Sequence, residues 1–290
     1  MIAYVFPGQG SQKPGMGKEL FDSNSTAQDI FHQADQLLGY RLSETMFDGT
    51  AEDLQQTKIT QPAVYLNSIA TYLSQAERPR PDAVAGHSLG EFTALVAAGV
   101  ISFKDGLLLV HRRAMAMQEA CELEKSTMAA IIGLDDHIIE EICAEIDGVV
   151  VPANYNCPGQ LVISGSVSGI EQAVEALTAA GARRALVLPV GGAFHSPLMR
   201  PAGEKLGAAI RSIDFKKPVC PIYQNVPAKG ILDPELIQTY LIEQLTAPVK
   251  WTQTMQQMID DQIQGVVEVG GRVLSGFFKK LDRSFETQNI

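Results

Sequence analysis

Apolar positions along this chain switch between two spacings, and the switches mark its elements. Ile2-Ala3-Tyr4-Val5-Phe6 is an unbroken apolar run of strand length, read as a buried strand that empties into the glycine-rich stretch Pro7-Gly8-Gln9-Gly10-Ser11-Gln12. Residues 29–38 and 51–56 look like surface helices. From 60 to 73, Ala63, Leu66, Ile69, Ala70 and Leu73 recur at helical spacing, so a helix opens at Thr60-Gln61-Pro62. That reading puts Pro62 near the first helical position, where its missing N–H costs nothing. Residues 81–85 read as a short strand, and 89–98 as a helix closing on Gly99. Ser102 is an N-cap residue for a helix running to about Ala120, whose densest apolar stripe is Phe103, Leu107, Val110, Ala114 and Met117. Arg112 lies opposite that stripe and Arg113 on its flank.

After residue 126 the elements shorten. Residues 127–134 read as a strand and 136–146 as a helix. Strands at 149–154 and 160–164 are joined at Asn156-Cys157-Pro158-Gly159, a helix at 168–180 ends at Gly181, and 185–190 is a further strand. A β-α-β-β-α-β order is that of the ferredoxin-like unit. The expected fold class is therefore α/β: a large α/β-hydrolase-like domain with a parallel sheet (1–125 and 192–290), interrupted by a small ferredoxin-like subdomain (126–191). The larger part resumes with a strand at 218–226, helices at 234–245 and 251–261, a strand at 265–269 and a last helix at 272–281.

Composition narrows the class. With 290 residues, 46% hydrophobic, the chain can bury a substantial core. A formal net charge of −10 argues against nucleic acid or an anionic membrane as the main partner. Cys121, Cys143, Cys157 and Cys220 form no close-spaced pair, which offers neither a zinc pattern nor a disulfide framework and points to a reducing, cytoplasmic setting. No basic leader precedes the first strand and no apolar run is long enough to span a bilayer.

The candidate chemistry centres on Ala85-Gly86-His87-Ser88-Leu89-Gly90-Glu91-Phe92, a Gly-x-Ser-x-Gly between a strand and a helix. In that setting the motif is a nucleophile elbow: Ser88 is forced outward in a strained backbone conformation, and side chains at 86 and 90 would collide. The helix that follows offers free N–H groups where an oxyanion would form. The first glycine-rich loop is not a phosphate loop. Position 13 is Lys13 where a dinucleotide fingerprint needs a third glycine, and Gly17-Lys18 lacks both the upstream glycine and the downstream Ser or Thr of a P-loop. A loop bringing its backbone and Gln9 to a reacting carbonyl fits better.

A serine hydroxyl needs a base. Of five histidines, His32, His111 and His137 lie in helices and His87 adjoins the serine on a sharp turn. His195, in the small-residue loop Gly191-Gly192-Ala193-Phe194-His195-Ser196-Pro197, is chosen. No acid partner is evident; Asp135, Asp136 and Asp147 have no telling context, and a carbonyl can hold the imidazole tautomer instead. Arg113 is either snorkelling or aimed at an anion in a pocket.

Five segments in order, Phe6 to Gln12, Gly86 to Glu91, Asn154 to Gln160, Gly192 to His195 and Gln244-Leu245-Thr246-Ala247-Pro248-Val249, resemble the malonyl-CoA:acyl carrier protein transacylase family. The resemblance covers nearly the whole chain. It implies Ser88 as acyl-carrying nucleophile, His195 as base, the N–H groups of Gln9 and Leu89 as oxyanion hole, and Arg113 as the grip on the malonate carboxylate. It implies that Gln244 holds His195 through its backbone carbonyl, that Phe194 limits the acyl group, and that His87 and Asn156 lie toward the substrate. It further implies no bound cofactor or metal, with malonyl-CoA and the phosphopantetheine of acyl carrier protein as substrates, and a chain acting as a monomer in fatty acid or polyketide synthesis. The chain departs from the family at Gly270-Gly271-Arg272, usually Gly-Pro-Gly, and at the short charged loop Cys121-Glu122-Leu123-Glu124-Lys125-Ser126. Two rivals share these features: a serine esterase or thioesterase, and a non-catalytic module that binds carrier protein.

Overall fold

The computed structural model describes residues 1–75 and 80–290. Among them are the strands β1 (Ile2–Phe6), β2 (Ala83–Gly86), β3 (Ser126–Ile132), β4 (Val150–Cys157), β5 (Gln160–Ser166), β6 (Arg184–Val187), β7 (Ile222–Gln224), β8 (Lys229–Ile231), β9 (Gly265–Glu268) and β10 (Glu286–Asn289). They form two sheets in an α/β architecture. A six-stranded mixed sheet runs in the order β10-β9-β1-β2-β7-β8, parallel except for the β7–β8 hairpin. A separate four-stranded antiparallel sheet runs β4-β5-β3-β6.

The apolar run of β1 follows from its place in the middle of the large sheet. Tyr4 and Phe6 face one core, with helices Thr57–Leu73, Gly90–Ala97 and Phe103–Leu123. Ala3 and Val5 face a second core, with Trp251, Met255, Met258 and Phe278. A strand covered on both faces has no use for alternating polarity. In the small sheet Ile131 and Ile163 pack on Ile139, Ile170 and Leu177 of its two helices. Backbone hydrogen bonds Tyr155 N–H to Val249 O (2.9 Å) and Val249 N–H to Ala153 O (2.8 Å) tie β4 to the segment leading into helix Trp251–Asp260.

Several boundaries differ from the sequence expectation. Helix Thr57–Leu73 starts a turn earlier than 60, so Pro62 sits inside it rather than at its mouth. The helix tolerates this because it is buried on most sides, with Thr60 Oγ also bonded to the Gln56 carbonyl at 3.1 Å. The helix expected at 51–56 is only a 3-10 turn, Asp53–Gln55, since Thr50 and Asp53 cap each other. Residues 121–123 continue helix Phe103–Leu123, so the charged loop expected there shrinks to Glu124 and Lys125. The strand expected over 218–226 is confined to β7, and the one at 185–190 ends at Val187. Helices Lys18–Ser23, Leu42–Asp48 and Arg200–Arg211 and the edge strands β8 and β10 were not anticipated.

Candidate active site

The serine turn is built by close approach of three backbones. A Cβ at Gly86 would lie 1.9 Å from Gly90 C, one at Gly90 would lie 2.0 Å from Phe6 O, and one at Gly8 would lie 2.6 Å from His87 O. No side chain fits at those distances, which is why glycines flank the serine on both sides. Ser88 itself has φ 52°, in the left-handed region. The amides around it are largely spoken for. Ser88 N–H donates to Asn225 Oδ1 (2.7 Å), Gly90 N–H to His87 O (2.9 Å) and Glu91 N–H to Ser88 O (3.1 Å). Leu89 N–H, at the mouth of helix Gly90–Ala97, has no partner among the described residues.

His195 arrives from the loop after β6, also at positive φ (59°) and 3% exposed. Its Nδ1 faces two backbone carbonyls, Gln244 O at 3.0 Å and Ala247 O at 3.2 Å. Two acceptors require Nδ1 to carry the proton, so the Nε2 lone pair faces Ser88 Oγ, 2.7 Å away. Burial, then the nearby Arg113 charge, pushes the imidazole down to about 3, so it is neutral at pH 7. Among the described residues no carboxylate is bonded to it; Asp135 and Asp136 begin helix Asp136–Glu145 of the small sheet.

Arg113 is 2% exposed, which excludes snorkelling. Its Nη1 donates to Gln61 Oε1 (2.7 Å), and its Nη2 lies 3.0 Å from Ser88 Oγ and 3.5 Å from Gln244 Oε1. Nε is buried with no partner among the described residues. Burial lowers the guanidinium to about 10, partly offset by Glu91, so it remains a cation at neutral pH.

These groups share a cavity of about 300 Å³ lined by Ser88, His195 and Arg113. Gln9 and Leu89 line it on the elbow side, with Phe194 and Met117 among its apolar residues, and His87 lines it too. Volume alone does not mark this site: grooves of about 560 and 620 Å³ elsewhere hold neither Ser88 nor His195. Gln244 is not on the wall but acts behind it; besides its carbonyl, its Nε2 donates to Ser88 O (3.0 Å). Asn156 is not among the lining residues. Its Oδ1 lies 2.9 Å from His87 Nε2, and burial holds His87 down at about 4. Among the described residues no cluster of three or more His, Cys, Asp or Glu side chains could hold a metal.

The sequence reading does not single out Asn225 or Glu91. Gln224-Asn225 sits at the carboxyl end of β7, and the carboxyl ends of parallel strands are where α/β sheets place their sites. That placement was the available signal.

A family model described as "Acyl transferase domain" matches residues 3–272. The chain is 43% identical to the malonyl CoA-acyl carrier protein transacylase of Bacillus subtilis (strain 168), over 99% of this chain and 92% of that one. Its fold superposes with a TM-score of 0.96 on the acyl-carrier-protein S-malonyltransferase of Burkholderia pseudomallei 1710b, at 40% identity, covering 100% of this chain and 95% of that one. The score is again 0.96, at 39% identity and with coverage of 100% and 95%, for a structure described as a type II PKS acyl-carrier protein in complex with its malonyl-transacylase. With similarity of this strength running through all the motif segments, the chain belongs to the malonyl-CoA:acyl carrier protein transacylase family.

Proposed function

We propose that the chain moves a malonyl group from malonyl-CoA to the phosphopantetheine thiol of an acyl carrier protein, through a malonyl ester on Ser88. The observation that carries this is the position of Ser88 Oγ, 2.7 Å from a neutral imidazole and 3.0 Å from a buried guanidinium. An esterase needs the first neighbour; only an acyl group with its own anion needs the second.

His195 Nε2 takes the Ser88 proton as Oγ attacks the thioester carbonyl carbon. The oxygen anion of the tetrahedral intermediate is met by the Leu89 and Gln9 N–H groups; both residues line the cavity, and the Ser88 N–H is engaged by Asn225. Collapse breaks the C–S bond, and His195 returns the proton to the departing CoA sulfur. The carrier thiol then attacks malonyl-Ser88 by the same steps in reverse order. Arg113 pairs with the free malonate carboxylate, for which its Nε is unpartnered and its Nη2 exchanges the Ser88 Oγ and Gln244 Oε1 contacts. Phe194 bounds the α-carbon of the acyl group, and Asn156 acts on the site by orienting His87. The Gln244 carbonyl holds the His195 tautomer.

In the same reading, 1–125 and 192–290 form an α/β-hydrolase-like catalytic domain and 126–191 a ferredoxin-like subdomain, whose β4-β5-β3-β6 order supports the comparison. The enzyme works in the cytoplasm as a monomer, with no bound cofactor, in fatty acid or polyketide synthesis. The test is intact mass after mixing with malonyl-CoA, followed by addition of holo-carrier protein. One stable malonyl adduct that passes to the carrier supports transfer. Rapid hydrolysis of the adduct supports an esterase, and no adduct a binding module.

A further inference from the structure

Asn225 spans the serine turn. Its Oδ1 accepts Ser88 N–H and its Nδ2 donates to Gly86 O, both at 2.7 Å. One side-chain amide thus grips the backbone on both sides of His87, as a neighbouring strand would. Asn225 is itself held from the other side. Glu91, three residues after Ser88, accepts Asn225 N–H on Oε2 (2.9 Å) and Gln224 Nε2 on Oε1 (3.0 Å). The result is reciprocal: the side chain of Asn225 holds the backbone of the turn, and a side chain from the helix after the turn holds the backbone of Asn225. Glu91, Gln224 and Asn225 are all fully buried, and among the described residues no cation is bonded to the Glu91 carboxyl group. A buried carboxylate without an ion-pair partner is costly to keep unless its hydrogen bonds do something.

We propose that Asn225, held by Glu91, is the positioning residue of the serine turn: it fixes Ser88 in its left-handed conformation and removes Ser88 N–H from competition for the oxyanion, so that the adjacent Leu89 N–H receives it. The inference rests on Ser88 being the nucleophile. Ser88 at φ 52° would relax toward an ordinary conformation without an external grip, and relaxation rotates both Oγ and the next peptide plane. A turn free to rotate would bind malonyl-CoA through Arg113 as before, because none of the described Arg113 hydrogen bonds involves Asn225 or Glu91. The loss therefore belongs in kcat rather than in KM.

The test compares Asn225→Ala and Glu91→Gln with the parent enzyme. Glu91→Gln keeps shape and volume but turns one of the two acceptors into a donor, so that it faces either the Asn225 N–H or the Gln224 Nε2 donor, and it decides the matter should Asn225→Ala fail to fold. Steady-state transfer gives kcat and KM. A small uncharged fluorophosphonate gives the reactivity of Ser88 without Arg113: a P–O bond forms to Oγ, fluoride leaves, and the proton goes to His195. Both variants, checked for a cooperative melt, should lose about 100-fold in kcat and in phosphonylation rate, the scale of losing one oxyanion donor, with KM for malonyl-CoA within about threefold. Folded variants that keep parent rates, or that raise KM while kcat holds, overturn the proposal. Ser88→Ala runs alongside: an adduct surviving there means that Ser88 is not the nucleophile, a separate failure from that of the clamp.

Discussion

Ser88 and His195, joined at 2.7 Å, both have positive φ, 52° and 59°. Each end of this hydrogen bond is carried on a backbone that a non-glycine residue seldom adopts, at a typical cost of about 1–3 kcal/mol each. The surrounding bonds hold both residues there: Asn225 and Gln244 on the serine side, the Gln244 and Ala247 carbonyls on the histidine side. Such a pair acts as a unit. Ser88→Ala should abolish the malonyl adduct, and His195→Ala should slow its formation by several orders of magnitude. The double variant should be little worse than Ser88→Ala alone, because losses within a unit do not add. Single-turnover acylation followed by mass spectrometry reads all three. Malonylation of another residue in Ser88→Ala would sink the assignment.

In the proposed mechanism Arg113 sets the acyl preference. An acetyl group in the cavity would leave a buried guanidinium without its anion, which penalises the wrong substrate as well as favouring the right one. Arg113→Ala should lose malonyl transfer by about 100-fold or more, corresponding to roughly 3 kcal/mol for a buried charge-assisted pair, while gaining relative acetyl transfer. Arg113→Lys should recover only part, since an ammonium lacks the paired fork. Gln61→Ala, which frees Nη1, should show a weaker form of the same change. The measurement is the ratio of malonyl to acetyl kcat/KM in each variant. An unchanged ratio in Arg113→Ala would move carboxylate recognition elsewhere.

Much of the site was legible because its chemistry is local in sequence. The Gly86-His87-Ser88-Leu89-Gly90 pentapeptide carries its own steric requirement, and Ser102 and Gly99 mark helix ends by side-chain and backbone chemistry alone; Ser102 Oγ does accept Asp105 N–H. What was hidden is set by distance. Asn225 acts on Ser88 from 137 residues away, and nothing in Gln224-Asn225 announces an amide that will bridge a turn. Local rules favour Pro62 at a helix start, and tertiary burial overrides them. Arg113 on the flank of its helix has two open readings in the sequence, and only its burial removes the snorkelling one. β8 and β10 escaped because each is a short polar edge strand paired on one side only.

The glycines of the turn should differ sharply from those that line nothing. A methyl group at Gly90 meets the Phe6 carbonyl at 2.0 Å, and that oxygen belongs to the central strand and cannot step aside. Gly90→Ala should cost about 3 kcal/mol or more, at or beyond the upper end of the usual range for overpacking. Gly276, exposed within helix Leu274–Leu281, has nothing within 4 Å of its added Cβ. Gly276→Ala should stabilise by about 0.5–1 kcal/mol through helix propensity. Urea denaturation of the two variants checks both signs.

The buried titratable groups oppose one another with pH. His195 and His87 are pushed down from 6.5, to about 3 and about 4. Below pH 6.5 the unfolded chain gains protons there that the fold refuses, so their contribution to stability is complete above 6.5 and is lost as pH falls through those values. Glu91 runs the other way. Burial raises it from 4.5 to about 7, against its N–H partners and the Arg113 charge. The fold keeps a proton that the unfolded chain sheds, so its contribution is complete below 4.5 and is lost as pH rises through 7. Between pH 7 and 4.5 Glu91 thus offsets part of the loss from the histidines. Glu91→Gln, which cannot titrate, should lose stability more steeply on acidification than the parent, and His195→Ala less steeply; urea midpoints from pH 7.5 to 4.5 read both slopes. The same low imidazole value places the acid limb of reactivity. Phosphonylation of Ser88 by an uncharged fluorophosphonate in Glu91→Gln, where neither malonate nor position 91 titrates, should stay level from pH 7 to 5, because His195 keeps its Nε2 lone pair throughout. An acid limb with its midpoint near 6.5 would mean that His195 titrates as an ordinary exposed imidazole and that the cavity is open to water during the reaction.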